Sequence, residues 1–407
     1  MASDSPLEPT GGDDDPFRQL GPLGDMFRMM AGQQGGSSWD IARQIAASIA
    51  AEGGSESNVD PVVRTQLEQL ARVAELRVAD ATGLDVAPGG RGITITAVNR
   101  TEWVQRSTGA YRELLETLAA ALNQAPPADL DIDGDPLSRM LAPMLQAMRP
   151  AMLGMTAGSM LGHLARRSFG MYDLPIPRPA GDELLIVVPN IDAFGTEWSL
   201  PTDDLRLWVC VHEVAHHAVL GLPHVRDSLS GLLRRYAGGF QPDGEALGSL
   251  FEGYELDPSD PGSMESLQER FADPTVLLGA MVSPAQRALL PQLEAFVATV
   301  VGYVDHVMDR VGEGLVGSYG MVTEALRRRR VTADPSDRFV EKLFGLELTQ
   351  MAYDRGAAFV DGIVERAGEE GLTRLWQTER SLPTPSEVDA PGLWLARIDL
   401  PEPDSPA

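Results

Sequence analysis

The sequence is poor in cysteine, in lysine and in long apolar runs. Cys210 is its single cysteine, which excludes an intramolecular disulfide, and Lys342 is its single lysine. The longest stretch of small apolar residues, 151–164, contains three glycines and is too short to span a bilayer. The N-terminus lacks the basic start and the apolar run of a signal peptide. These absences predict a cytoplasmic protein with no membrane partner.

Positive charge is also scarce. The chain has 33 basic and 59 acidic residues, a formal net charge of −26, which argues against binding to nucleic acid. The one basic run, 327–330, closes a helical pattern, and we expect it to pair with the chain's many carboxylates. With 407 residues, of which 43% are hydrophobic, the chain can bury a large core.

Helical periodicity dominates the pattern of apolar residues, and two short β-branched or aliphatic runs interrupt it. The predicted helices cover residues 39–51, 61–76, 102–123, 136–167, 205–220, 294–310 and 339–367, with another that ends in the arginine run, and the predicted strands are 93–98 and 184–188. The fold class expected is mainly α with a small β-sheet (α+β). A strand beside the helix 205–220 could hold an extended chain along its edge or could simply complete the core.

The predicted domain organisation is one catalytic domain, 38–398, between two disordered acidic tails, 1–37 and 399–407. The domain is expected to have three parts: a helical N-terminal part, a metal-site part and a C-terminal helical part, at 38–170, 171–330 and 331–398. The closing segment is rich in proline and tryptophan, and we expect it to dock against the core.

The most informative motif is His212-Glu213-Val214-Ala215-His216, which has the form H-E-x-x-H. Two histidines four residues apart share a helix face, so their imidazoles can bind one Zn²⁺ ion. Glu213 is then placed to hold water on the metal and take its proton. Four of the six histidines lie between His212 and His224.

The helix that carries this motif is apolar almost all round from Leu205 to Leu220, so it belongs in a core. It could therefore be a packing helix whose histidines are satisfied by neighbours. Burying two histidines and a glutamate costs free energy unless their polar groups find partners, however. A single metal ion can bind both imidazoles and compensate the charge of the carboxylate. Thr202 is the predicted N-cap, and Gly221 is expected to end the helix.

A catalytic zinc usually takes a third protein ligand. The extended motif with a third histidine is absent, because Leu222 occupies that position. We favour Asp305 on the later helix, since it falls one step from the centre of that helix's apolar stripe. His306, on the opposite side of the stripe, and His224, after a Gly-Leu-Pro turn, are the alternatives. A salt bridge from Asp305 to an arginine is the competing interpretation.

The sequence resembles a bacterial family of zincin-like metallopeptidases whose members often carry only a general hydrolase label; a related branch is associated with deazaflavin-coenzyme biosynthesis. The resemblance rests on residues 169–173, 188–191, 205–217, 302–309, 324–330 and 390–395. It implies a zincin-like core around the H-E-x-x-H helix, with His212 and His216 as zinc ligands and Glu213 as base. In related members an acidic residue often precedes the glycine that matches Gly302, whereas this chain has Val301.

The function predicted is a zinc-dependent hydrolase, with a metallopeptidase that cleaves a peptide or another amide as the favoured class. The alternative is a metal-stabilised scaffold or binding protein without turnover. Cys210 is expected to be a buried thiol, with a zinc ligand as the lesser alternative. His217 is expected to support the site, and Tyr303 either donates a hydrogen bond to an oxyanion or simply packs.

Overall fold

The computed structural model describes residues 38–87, 90, 92–124, 153–240, 282–332 and 335–401. The predicted tail 1–37, most of the tail 399–407 and the first part of the predicted helix 136–167 lie outside these residues.

The described residues form helices around one small sheet. The helices are α1 (Ser38–Ala50), α2 (Pro61–Thr82), α3 (Arg100–Gln124), α4 (153–167), α5 (Val188–Glu197), α6 (Thr202–Leu220), α7 (Pro223–Ala237), α8 (Pro284–Gly312), α9 (Tyr319–Val331), α10 (Pro335–Leu343), α11 (Gln350–Thr373), α12 (Pro385–Val388) and α13 (Pro391–Ile398). Strands β1 (Thr94–Val98) and β2 (Glu183–Val187) pair in parallel, from Thr94 opposite Glu183 to Val98 opposite Val187. The predicted class, mainly α with a small β-sheet, is confirmed.

The motif helix α6 lies at the centre of the described fold. Helices α2 and α8 pack along it, and α5, α9 and β2 also contact it. Pro201 is its N-cap and makes no side-chain capping bond, so the prediction that Thr202 caps the helix was wrong by one residue. Asp204 in the first turn accepts hydrogen bonds from the backbone N (2.8 Å) and hydroxyl (2.6 Å) of Ser318, which ties α6 to the start of α9.

Helix α4 packs against α1 through a stripe of glycines. A Cβ at Gly158 would lie 2.7 Å from the backbone oxygen of Ala42, and one at Gly162 would lie 2.7 Å from Cβ of Ile49. The helices therefore approach backbone to backbone. The glycine-rich apolar stretch noted in the sequence packs inside the protein in this way.

Helix α8 carries one side of the core behind α6. It is the one described helix long and apolar enough to cross a membrane, but most of that apolar segment is buried inside the protein. Gly302 on α8 meets Gly356 on α11, where a Cβ on Gly302 would lie 2.2 Å from the Gly356 carbonyl carbon. A core helix explains its composition.

Several predicted elements differ from the structure. The helix predicted over 294–310 begins ten residues earlier, at Pro284, and the helix predicted over 61–76 ends six residues later, at Thr82. The helix predicted over 339–367 is divided into α10 and α11 by a bend at Gly345, which has a φ of +67° that favours glycine. Val188, predicted as the last residue of the second strand, is instead the first residue of α5, followed by Pro189 in its first turn. The closing segment docks as predicted: Trp394 is fully buried, meets Phe359 edge-on and donates its indole N–H to the Ser381 carbonyl at 2.6 Å.

Candidate metal and catalytic site

His212 and His216 lie on consecutive turns of α6, with ring centroids 4.3 Å apart. Nδ1 of His216 is 3.1 Å from the backbone oxygen of His212. Because a carbonyl oxygen can only accept, Nδ1 carries the hydrogen and Nε2 keeps a lone pair. The helix backbone thus fixes the tautomer in which His216 can bind a metal.

Two aromatic rings hold these imidazoles in place. Trp208 stacks on His212 at 4.9 Å between centroids, and Tyr172 lies nearly parallel to His216 at 6.0 Å. The Tyr172 hydroxyl is 3.0 Å from Nδ1 of His217. His217 therefore supports Tyr172 from behind, in keeping with the supporting role expected for it.

Burial keeps both histidines neutral. It lowers the pKa of His212 to about 4, and it lowers the pKa of His216 well below the ordinary value. A neutral imidazole is the form that binds a metal, so neither histidine has to lose a proton at neutral pH.

Glu213 is 1% exposed, and backbone N–H groups hold its carboxyl group. Its Oε2 accepts hydrogen bonds from the N–H of Met171 (2.7 Å) and of Tyr172 (3.1 Å), while Oε1 is 3.5 Å from Nδ1 of His212. Burial, with the Asp173 carboxylate as a second cause, raises the pKa of Glu213 to about 8 against the effect of these hydrogen bonds. A cation beside this carboxyl would favour its ionised form.

The segment that holds Glu213, residues 169–173, is itself fixed by hydrogen bonds. The Asp173 carboxylate accepts from the N–H groups of Phe169 (2.7 Å) and Gly170 (3.1 Å). The Trp103 indole donates to the Gly170 carbonyl at 2.7 Å. A Cβ on Gly170 would lie 2.3 Å from Cδ of Glu213, so only glycine allows the backbone to come so close.

The side chains present fit zinc in type but supply only part of a ligand set. His212 and His216 offer neutral imidazole nitrogens, and within the described residues the buried Glu213 lacks a positive neighbour in direct contact. Among those same residues, no group of three or more histidine, cysteine, aspartate and glutamate side chains is arranged to hold a metal. Two protein ligands and the adjacent carboxyl are therefore what this part of the chain provides.

Asp305, the predicted third ligand, is engaged elsewhere. Both of its oxygens lie 3.4 Å from the guanidinium of Arg330, which is the competing salt bridge considered for it. His306 contacts Glu369 at 3.2 Å, and Nε2 of His224 is buried without a hydrogen-bond partner among the described residues. The structure brings none of the three into a ligand group with His212 and His216.

A cavity of 80 Å³ opens beside His212 and Glu213. Its polar lining includes residues that motif reasoning did not assign to the site: Arg167, Asp173, Arg329, Arg330, Glu341 and Tyr353. The guanidinium of Arg329 lies 3.9 Å from the centre of the Phe169 ring, and that of Arg330 lies 3.9 Å from the centre of the Tyr353 ring. The arginine run was visible in the sequence, but its direction toward α6 was not.

Two other candidates lie outside this cavity. Tyr303 is buried and packs edge-on against Trp376 at 5.2 Å, the packing role that was the alternative for it. Cys210 is fully buried, and burial raises its pKa to about 12, so the thiol stays protonated.

Comparison with known proteins supplies a family. Residues 38–395 match the zincin-like metallopeptidase family. A crystal structure from Chloroflexus aurantiacus, described as a candidate hydrolase with a novel fold, superposes with a TM-score of 0.62 at 23% sequence identity and covers 89% of this chain and 99% of its own. At that identity the likeness is one of fold. No curated protein matches. The match over most of the chain identifies it as a member of the zincin-like metallopeptidase family.

Proposed function

We propose that this protein is a zinc-dependent hydrolase of peptides or other amides, in which His212 and His216 hold the metal and Glu213 is the general base. The observation that carries the proposal is the setting of Glu213: a carboxyl that is 1% exposed, held by two backbone N–H groups and 3.5 Å from the neutral imidazole of His212. A packing helix gains nothing from such a set of polar groups.

Zinc bound by the two histidines would supply Lewis-acid chemistry, which polarises a carbonyl and makes water more acidic. The chain's own contribution is the placement of one proton acceptor. Glu213 takes a proton from water as the oxygen adds to the amide carbon. It then gives that proton to the nitrogen as the C–N bond breaks. The N–H groups of Met171 and Tyr172 hold Oε2, while Oε1 lies 3.4 Å from the Tyr172 nitrogen and 3.5 Å from Nδ1 of His212.

The first test is metal content. His212→Ala and His216→Ala are expected to lose zinc, whereas the control His306→Ala, on another helix, keeps it; elemental analysis measures both. Loss of metal should also lower the melting temperature because the site lies in the core. Full zinc retention in the His212→Ala/His216→Ala double variant would refute the metal assignment.

The second test is turnover. Glu213→Gln keeps the shape of the side chain but removes the proton acceptor, so zinc should stay while hydrolysis of a broad peptide library falls on the order of a hundredfold or more. Wild-type rates in Glu213→Gln would place the active site elsewhere.

A metal-stabilised scaffold without turnover is the second candidate. The observation that favours it is the incomplete ligand set among the described residues, where the buried Val301 stands at the position of the acidic residue frequent in related sequences. A zinc-loaded wild type that hydrolyses no member of the library would select this function. In either case we propose a cytoplasmic protein that binds neither nucleic acid nor a membrane, given its net charge of −26.

A further inference from the structure

Arg178 is a buried cation whose hydrogen bonds, among the described residues, go to the Tyr111 hydroxyl and the Met171 carbonyl and not to a carboxylate. It is 5% exposed, and its charge acts on Glu213 from beyond contact distance, where it lowers the pKa of that carboxyl. Its Nε and Nη1 are buried without hydrogen-bond partners in the described part of the chain. Burying a guanidinium in this way is costly, so the position calls for a compensating role.

Part of the compensation is aromatic. The Arg178 guanidinium carbon lies 4.8 Å from the centre of the Tyr111 ring and 6.0 Å from that of the Tyr172 ring. Nη2 also donates to the Tyr111 hydroxyl at 3.0 Å. These contacts fix the plane of the guanidinium and place it beside residues 169–173, the segment that holds Glu213.

The remaining contact leads directly to the catalytic carboxyl. Nη2 of Arg178 donates a hydrogen bond to the backbone oxygen of Met171. The N–H of Tyr172, which belongs to the same peptide group as that oxygen, donates to Oε2 of Glu213 at 3.1 Å. A cation and a carboxyl are thus joined through one peptide group, and hydrogen bonds in such a chain polarise one another.

We propose that Arg178 is a positioning residue for Glu213, which it holds through the backbone of Met171. This inference rests on the proposed function. Without the guanidinium, the planar peptide group of the Met171 carbonyl is free to turn, and the Tyr172 N–H that donates to Oε2 turns with it. An error of about 1 Å in the position of a catalytic group costs on the order of a hundredfold in rate.

A purely structural role would be different. Arg178 would then only fasten the segment around Pro177 against α3, and its loss would act through global stability. Arg226 provides a matched control, because it lines the same 520 Å³ cavity between α3 and α7 as Arg178. Its own ion pair, to Asp227 at 3.2 Å, has no link to Met171.

The experiment compares Arg178→Ala, Arg178→Lys and Arg226→Ala in the zinc-loaded full-length protein. Arg178→Ala is expected to lower kcat on the order of tenfold to a hundredfold, with KM and zinc content unchanged. Added guanidinium chloride should restore part of that kcat. Arg178→Lys should have a lower kcat than the wild type, because the lysine ammonium does not reproduce the planar, forked shape of the guanidinium. Arg226→Ala should match the wild type.

Hydrogen exchange gives a readout that needs no activity. In Arg178→Ala the amides of Met171 and Tyr172 should exchange faster, while amides in α2 keep their rates. Unchanged kcat and unchanged exchange at Tyr172 would overturn the proposal, as would a loss confined to the melting temperature without guanidinium rescue. If the wild type shows no hydrolysis, the proposed function fails by itself, and the exchange at Tyr172 still decides whether Arg178 holds the segment.

Discussion

Gly170 lies against the carboxyl group of Glu213, and a Cβ at position 170 would fall 2.3 Å from Cδ of that glutamate. The backbone of residues 170–172 is therefore in van der Waals contact with the side chain that it hydrogen-bonds. The position of Glu213, the proposed general base, therefore depends on the absence of a side chain at Gly170, which lies 43 residues earlier in the chain.

The first prediction follows from this contact. Gly170→Ala should displace Glu213 or push the 169–173 segment away, so hydrolysis should fall on the order of a hundredfold while zinc content stays the same. Activity and elemental analysis measure the two effects. The control is Gly231→Ala on α7, where a Cβ meets nothing within 4 Å; it should be neutral or stabilise by about 0.5–1 kcal/mol. Full activity in Gly170→Ala would show that Glu213 is not the base.

Asp305 gives the second prediction. Because its oxygens contact Arg330, Asp305→Ala should keep its zinc and lose about 1 kcal/mol or less of unfolding free energy, the usual value for a partly exposed ion pair. Competition with a chelator measures the zinc affinity, and urea denaturation measures the free energy of unfolding. A large loss of zinc affinity in Asp305→Ala, with His306→Ala unchanged, would instead make Asp305 the third ligand.

Stability of the metal-free protein should depend on pH through the two motif histidines. Burial lowers the pKa of His212 from an ordinary value of 6.5 to about 4, so between these values the unfolded chain binds more protons than the folded one. Each such histidine should then lower the free energy of unfolding by up to about 1.4 kcal/mol for each pH unit of decrease. The raised pKa of Glu213 contributes with the opposite sign between its ordinary value and about 8, so it offsets part of this slope. Urea denaturation of chelator-treated protein measures the slope. The variant His212→Asn/His216→Asn should show a weaker dependence of unfolding free energy on pH. Equal slopes in the two proteins would contradict the claim that these histidines cause the dependence.

Cys210 gives a prediction about reactivity. Burial raises its pKa to about 12, so the folded protein holds almost no thiolate at neutral pH. A thiol reagent should label Cys210 slowly in the native protein and rapidly in denaturant. Cys210→Ser is expected to keep its zinc. Rapid native labelling, or loss of zinc in Cys210→Ser, would show that the thiol faces the site.

The local part of this structure was predictable. The spacing of His212 and His216, and the apolar character of the residues between and around them, fix a buried helix with two imidazoles on one face. Strands β1 and β2 and the helices α1, α3 and α6 lie within a few residues of their predicted bounds, whereas α5 and α7 were not predicted. These features depend on side-chain periodicity within one element, which a sequence displays directly.

The partners of Glu213 were not predictable in the same way. Met171 and Tyr172 contact it through backbone N–H groups, which every residue except proline has, so the side-chain types carry no signal. The helical wheel of α8 placed Asp305 at the edge of the buried face but could not show that Arg330 of α9 lies opposite it. The bend at Gly345 was missed because periodicity continues on both sides of it.

The glycine contact between α8 and α11 limits how this protein can change during evolution. Where two side chains meet, a larger residue on one helix can be accommodated by a smaller one on the other. Gly302 and Gly356 meet backbone to backbone, and a Cβ added to Gly302 would come within 2.2 Å of the opposing carbonyl carbon. No substitution on α11 can make room for a side chain on α8 at this point. We therefore expect related sequences to keep glycine at both positions and the same distance between α8 and α11. The packing of α8 against α6 depends on that distance.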